Sequence, residues 1–190
     1  MVSSREATAS IYGAWRLARL DPRGLSYFNT TEAGFWRSFW AAAISAPAYV
    51  LTVAFEYAQR TPTASDARIF AVHAIAYVIS WTAFPLVMAT VVRMLDRERH
   101  YVRYIVAHNW ANVVEMVLFV LATGLAATGI GWFTILPALT AFLIFGYQWY
   151  VARIALEITG LQAMAVIGLD LLLDMALMIA MRVLLPGGPI

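Results

Sequence analysis

The sequence predicts an all-α integral membrane bundle of five transmembrane helices, preceded by a short N-terminal interfacial helix. Three observations predict it. Five apolar stretches of about 20 or more residues recur, each long enough to cross a hydrocarbon layer of about 30 Å. Only 13% of the residues are charged while 62% are hydrophobic; a soluble domain keeps about 25% charged for its surface, and lipid replaces that surface here. The basic residues are confined to the links between apolar stretches rather than gathered on one face, so the net charge of +2 does not point to nucleic acid.

The elements follow in order. Residues 1–35 form an N-terminal stretch and 36–190 the transmembrane domain. Residues 1–23 have no apolar core of signal-peptide kind. From Ser10 to Leu20 a short helix carries Ile11, Trp15 and Ala18 along one side. It is expected either in the headgroup layer, anchored by Trp15, or packed on the ends of the spans. Asp21, Pro22, Arg23 and Gly24 make a turn. A helix start follows, with Asn29 as cap and Glu32 reaching back to it.

The first span covers about 36–57. Phe35, Trp36, Phe39 and Trp40 suit an interfacial aromatic belt. Ala42, Ser45 and Ala46 form a small-residue strip for close helix approach. Pro47 is expected to kink the span, and Glu56 to reach water at its far end. A loop at 60–63 leads to Ser65 or Asp66 as cap of the second span, about 69–92, which holds His73 and a kink at Pro85. His73 and His100 are read as a helix-end and a loop residue. Arg93, Arg97, Arg99 and Arg103, with Asp96 and Glu98, form a basic connection. The third span covers about 104–127, and a Gly-rich link at 128–131 joins it to the fourth, about 132–151. That span carries no charge; it holds a kink at Pro137 and a lone Gln148. Its helix is expected to run on through an Arg153–Glu157 pair and stop at Gly160. The fifth span covers about 161–185, and Pro and Gly at 186–189 end it.

Lys is absent, and ten of the 13 basic residues, all Arg, fall on one side of a five-span topology. The positive-inside rule then places the N-terminus in the cytoplasm and the C-terminus in the periplasm, in a bacterial inner membrane. The expected partners are the lipid bilayer and, beyond it, other membrane subunits or a second copy of the chain.

The chemistry concentrates in the third span. His108, Asn112 and Glu115 share a helical face at i, i+4 and i+7. Glu115 lies about 16 Å along the helix from Tyr104, and Asp170 and Asp174 lie about 12 and 18 Å from Gln162. The three acids therefore occupy one slab near the midplane, and no Arg falls at that depth. A carboxylate there costs at least about 2.5–3.5 kcal/mol, so at least one is expected to carry or share a proton, or to meet water or a cation. His108 and Gln148 extend the polar path toward the cytoplasm. Glu115 is expected to meet Asp170 or Asp174 where spans three and five pack. An inter-helical hydrogen-bond network is the competing reading of the same residues.

These residues also offer nitrogen and oxygen ligands, but their spacing matches no metal motif and HExxH is absent, so metal binding stays open. Cysteine is absent, which excludes disulfides and thiol nucleophiles. No P-loop, GxSxG or dinucleotide fingerprint occurs, so no cofactor is expected. Ser38, Ser45 and Ser80 have no His or Lys at a telling spacing. The leading reading is a non-enzymatic transporter-like or accessory subunit whose acidic centre handles protons or cations. The alternatives are an intramembrane enzyme acting on lipid or peptide, and a scaffolding partner of a larger membrane complex.

Overall fold

The computed structural model describes residues 2–58 and 64–185. The expectations for the Glu56 side chain, the 60–63 loop and the stop at 186–189 lie outside the described residues. Among those residues there are seven α-helices and no strand: α1 (Ser4–Ala18), α2 (Glu32–Ser38), α3 (Trp40–Ala58), α4 (Asp66–Met94), α5 (Tyr101–Ala127), α6 (Leu136–Leu156) and α7 (Gly160–Leu184). Five stretches are long and apolar enough to cross a membrane: Glu32–Phe55, Asp66–Met94, Glu98–Ala127, Gly131–Leu156 and Gly160–Leu184. This is a multi-pass, all-α membrane bundle. Its outer face is apolar, with Phe70, Leu86 and Phe142 each more than 70% exposed, as a lipid-facing surface requires. Trp36 and Trp132 stand exposed near opposite ends, where indole rings suit the headgroup boundary.

The centre of the bundle is α5. From Tyr104 to Ala111 every one of its residues is buried, and burial continues at Val113, Val114 and Glu115. It packs against α6, α3, α1 and α2, while α7 packs on α6 and α4. The face of α3 turned inward is Ala41, Ser45 and Thr52, in line with Ser38 on α2. The small-residue strip is therefore displaced from the expected one: Ser45 belongs to it, but Ala42 and Ala46 lie outside the buried set.

α1 is packed on the bundle end. Its buried face is Ser10, Gly13, Ala14 and Leu17, one residue round from the expected Ile11–Trp15–Ala18 side, and Trp15 is exposed. Tyr147 Oη donates to the Ala14 carbonyl at 2.8 Å, and Tyr150 Oη to that of Leu20 at 2.9 Å. Glu6 pairs with Arg37 at 2.8 Å. The Asp21 turn is held by ion pairs to Arg23 and Arg16, which bring the Asp21 carboxyl down to about 2. Gly13 faces the backbone of this turn so closely that a Cβ there would lie 2.8 Å from the Gly24 carbonyl oxygen.

Local chemistry moved several boundaries. The cap of α2 is Thr31, which accepts from Gly34 N at 3.1 Å; Asn29 instead accepts from Thr31, at 2.7 Å from its hydroxyl. The first crossing is interrupted at Phe39, between α2 and α3. Ser65 is the cap position of α4. Pro47 and Pro85 lie inside α3 and α4, but Pro137 sits in the first turn of α6 after a 3₁₀ stretch, Gly131–Ile135. Its missing N–H is one that no helical carbonyl would have accepted, so it starts the helix and does not kink it.

α6 ends at Leu156 because Glu157 takes the left-handed conformation, φ 55° and ψ 49°. Gly160 therefore does not stop α6; it opens α7 behind a capping box of Thr159 and Gln162. Glu157 pairs with Arg103 at 2.9 Å, not with Arg153, whose guanidinium lies over the Trp149 ring at 5.5 Å. The Arg103 guanidinium also keeps the Glu157 carboxyl below its ordinary range. The α4–α5 connection and the first turn of α5 clamp the last turn of α6: Arg103 Nε donates to Ala155 O at 2.7 Å, and His100 Nδ1 lies 2.9 Å from Leu156 O. His100 is thus a buried clamp rather than a free loop residue. These contacts bring α1, the α4–α5 connection and the end of α6 together, forming an Arg-rich end.

Candidate polar site

Helical rise sets the depth of the site. Glu115 is about 21 Å and His108 about 10 Å along α5 from Tyr101; Gln148 is about 12 Å back from Leu156 on the antiparallel α6; Asp170 and Asp174 are about 15 and 21 Å along α7 from Gly160. All five polar residues thus occupy the middle of the bundle.

Two arrangements occur there. The first is a buried hydrogen-bonded chain. Gln148 Nε2 donates to Glu115 Oε1 at 2.7 Å, and Gln148 Oε1 lies 3.2 Å from His108 Nδ1. An amide that spends its N–H on a carboxyl has only its carbonyl left for the imidazole, so His108 donates through Nδ1. His108 Nε2 makes no hydrogen bond to the described residues. His108, Glu115 and Gln148 are each less than a tenth exposed. The His108 ring lies against Phe84, centroids 4.6 Å apart. Gln148 bridges Glu115 and His108, two polar residues of α5.

The second is a cavity of about 190 Å³ between α3, α4, α5 and α7, lined by His108, Asn109, Asn112, Met116, Asp170 and Asp174 on one side and by Tyr49, Tyr77, Ser80, Trp81 and Pro85 on the other. It has room for several water molecules or a small cation. Asp170 is half-buried and Asp174 exposed at the rim. Neither carboxyl, nor the Asn112 amide, makes a hydrogen bond or ion pair with the described residues. Asp170 interacts through space with Glu115, and Asp174 with His108 and Asp170. Spans three and five nevertheless do not pack as expected: α7 leans on α6 and α4 and faces α5 across the cavity. The face shared by His108, Asn112 and Glu115 is divided accordingly. Glu115 turns to Gln148, Asn112 lines the cavity, and His108 takes part in both.

Asn109 donates to Ser38 Oγ at 2.8 Å, which in turn donates to Phe35 O, tying α5 to α2. Ser80 Oγ donates to Tyr77 O at 2.9 Å. Tyr77, Trp81 and Pro85 recur every fourth residue on α4 and so share the face that lines the cavity. His73 is buried, seven residues into α4, with its Nδ1 2.9 Å from Tyr49 Oη, so it is not a helix-end residue. No group of three or more His, Cys, Asp or Glu side chains among the described residues is arranged to hold a metal ion. No family model, curated protein or solved structure matches the chain.

Proposed function

We propose that this chain is a non-enzymatic, transporter-like or accessory membrane subunit whose cavity handles protons or a small cation through Asp170 and Asp174. The observation that carries this reading is the cavity itself: two carboxyl groups at mid-bundle depth, facing about 190 Å³ of space, without a donor or cation among the described residues to satisfy them. Acids placed so deep are costly and are characteristic of ion and proton paths. His108 adds an unpaired ring nitrogen at the same cavity.

The Glu115–Gln148–His108 chain favours a second role for its own members. It is buried, internally paired and spans the α5–α6 interface, which is what a structural tie requires. The enzyme reading draws less support, because the only cavity-lining serine among the described residues, Ser80, has its hydroxyl committed to a backbone carbonyl. The Arg-rich end supports a cytoplasmic N-terminus in a bacterial inner membrane, with the lipid bilayer and further membrane subunits or a second copy as partners.

The test is flux in liposomes holding a pH-sensitive dye, under imposed proton and monovalent cation gradients. The wild-type chain is expected to raise the rate above protein-free liposomes, and Asp170→Asn or Asp174→Asn to lower it at least tenfold. Glu115→Gln is expected to retain it, since an amide oxygen still accepts from Gln148. Equal flux in all variants, or none above protein-free liposomes for the wild type, overturns the proposal.

A further inference from the structure

The polar cavity continues into an apolar groove. α3 and α4 are held together by side chains: Tyr77 Oη donates to Ala42 O at 2.7 Å, and the Tyr49 and Tyr77 rings lie 4.7 Å apart. Toward the end opposite the Arg-rich one, the two helices enclose a groove of about 490 Å³, walled by Val50, Val53, Ile69, Phe70 and Ala74. Tyr49 and Tyr77 line both the groove and the polar cavity. The two spaces therefore meet at an aromatic pair, one side largely apolar, with His73 and Asp66 in its wall, and the other carrying Asp170, Asp174 and a His108 nitrogen with no hydrogen bond to the described residues.

Charge narrows the occupant. Among the described residues neither space is lined by Arg, while Asp66 lines the groove and Asp170 and Asp174 line the cavity. An anionic headgroup in the cavity would face two carboxyl groups and, among the described residues, no Arg. A cationic one would find two carboxyl groups, with the aromatic side chains of Tyr49, Tyr77 and Trp81 lining the same cavity. An apolar tail would lie in the groove, where a buried methylene is favoured over water.

We propose that the α3–α4 groove and the polar cavity form one amphipathic site for a single-chain organic ammonium ion, its head between Asp170, Asp174 and Trp81 and its chain between α3 and α4. This deepens the cation-handling reading and rests on it.

The experiment is equilibrium dialysis of purified protein in a neutral maltoside detergent, with radiolabelled decyltrimethylammonium, tetramethylammonium and decyl sulfate as probes. Decyltrimethylammonium is expected to bind saturably and at least tenfold more tightly than tetramethylammonium, and decyl sulfate to show no saturable binding. The Asp170→Asn/Asp174→Asn double variant is expected to weaken decyltrimethylammonium at least tenfold. Ala74 is exposed, so Ala74→Phe can fill the groove without disturbing the core; it is expected to weaken the long-chain probe at least fivefold more than the short one. Decyl sulfate binding as tightly as the cation on the wild-type chain overturns the proposal without need of any variant. So does long-chain binding indifferent to Ala74→Phe. Absence of saturable ammonium binding beside intact Asp-dependent flux overturns this inference and leaves the cavity reading standing; absence of both overturns the two together.

Discussion

Gln148 is the residue on which the α5–α6 interface can be tested most sharply, because both ends of its amide are engaged. Gln148→Leu keeps the volume but strands two buried groups, the His108 Nδ1–H and the Glu115 carboxyl. Leaving a buried polar group without a partner costs about 1–3 kcal/mol, so the change is expected to cost about 2–6 kcal/mol. Glu115→Leu strands only the amide nitrogen of Gln148, about 1–3 kcal/mol. Glu115→Gln preserves an acceptor for that nitrogen and is expected to cost under about 1 kcal/mol. Inter-helical hydrogen bonds in membranes average about 0.6 kcal/mol, because the unfolded state in the bilayer also finds partners, so the lower ends of these ranges are the better guide. The order is the firm expectation: Gln148→Leu above Glu115→Leu above Glu115→Gln.

Unfolding of detergent-solubilised protein in mixed micelles, followed by tryptophan fluorescence, measures all three. The double variant Glu115→Leu/Gln148→Leu completes the cycle and should cost less than the sum of its parts, because Glu115 is no longer present to be stranded. If Gln148→Leu is no worse than Glu115→Leu, or if the Gln and Leu replacements of Glu115 cost the same, the hydrogen-bonded chain does not hold α5 to α6.

Three further outcomes are expected. Arg103→Ala removes the guanidinium that caps Ala155 and pairs with Glu157; amide exchange in the last turn of α6 should quicken while that of mid-α5 stays unchanged. The Asp21 carboxyl, at about 2 in the folded chain, lies below its ordinary value near 3.8. Its contribution is therefore present above about pH 4 and lost as pH falls toward 2; over that window exchange in α1 should rise, and Asp21→Asn should remove the dependence. Cysteines introduced at Ala67 and Arg99 on this cysteine-free background should be labelled from outside intact cells at the first position only. Labelling at Arg99 instead would reverse the proposed orientation.

The number, order and approximate limits of the membrane helices were legible because length and apolarity alone determine which stretches can cross a bilayer. The positions of Glu115, Asp170 and Asp174 along their helices were legible for the same reason: rise per residue sets them without knowledge of neighbours. The boundaries that moved were those decided by single-residue chemistry. Thr31 outcompeted Asn29 for the cap, Glu157 took up a left-handed turn that glycine was expected to supply, and Pro137 began a helix rather than bending one. Each depends on which of two adjacent residues claims one backbone group, and helical periodicity does not register that contest.

What the sequence withheld was azimuth. In a soluble helix the apolar stripe marks the side that turns inward; in lipid the outward side is apolar too, so the stripe vanishes. α5 illustrates this, since it is buried around its whole circumference from Tyr104 to Ala111 and has no apolar stripe to orient it. The remaining azimuthal markers are isolated polar residues, which must turn away from lipid and toward one another. Glu115 needs a donor, and α6 offers a single amide along its apolar length, Gln148. That pairing brings α6 against α5 and so keeps α7 from direct packing with α5. Asp170 and Asp174 are then left across an open space from His108 and Asn112. One acid is thus satisfied by an amide on a neighbouring helix, while the two on α7 line the cavity without a hydrogen-bond partner among the described residues.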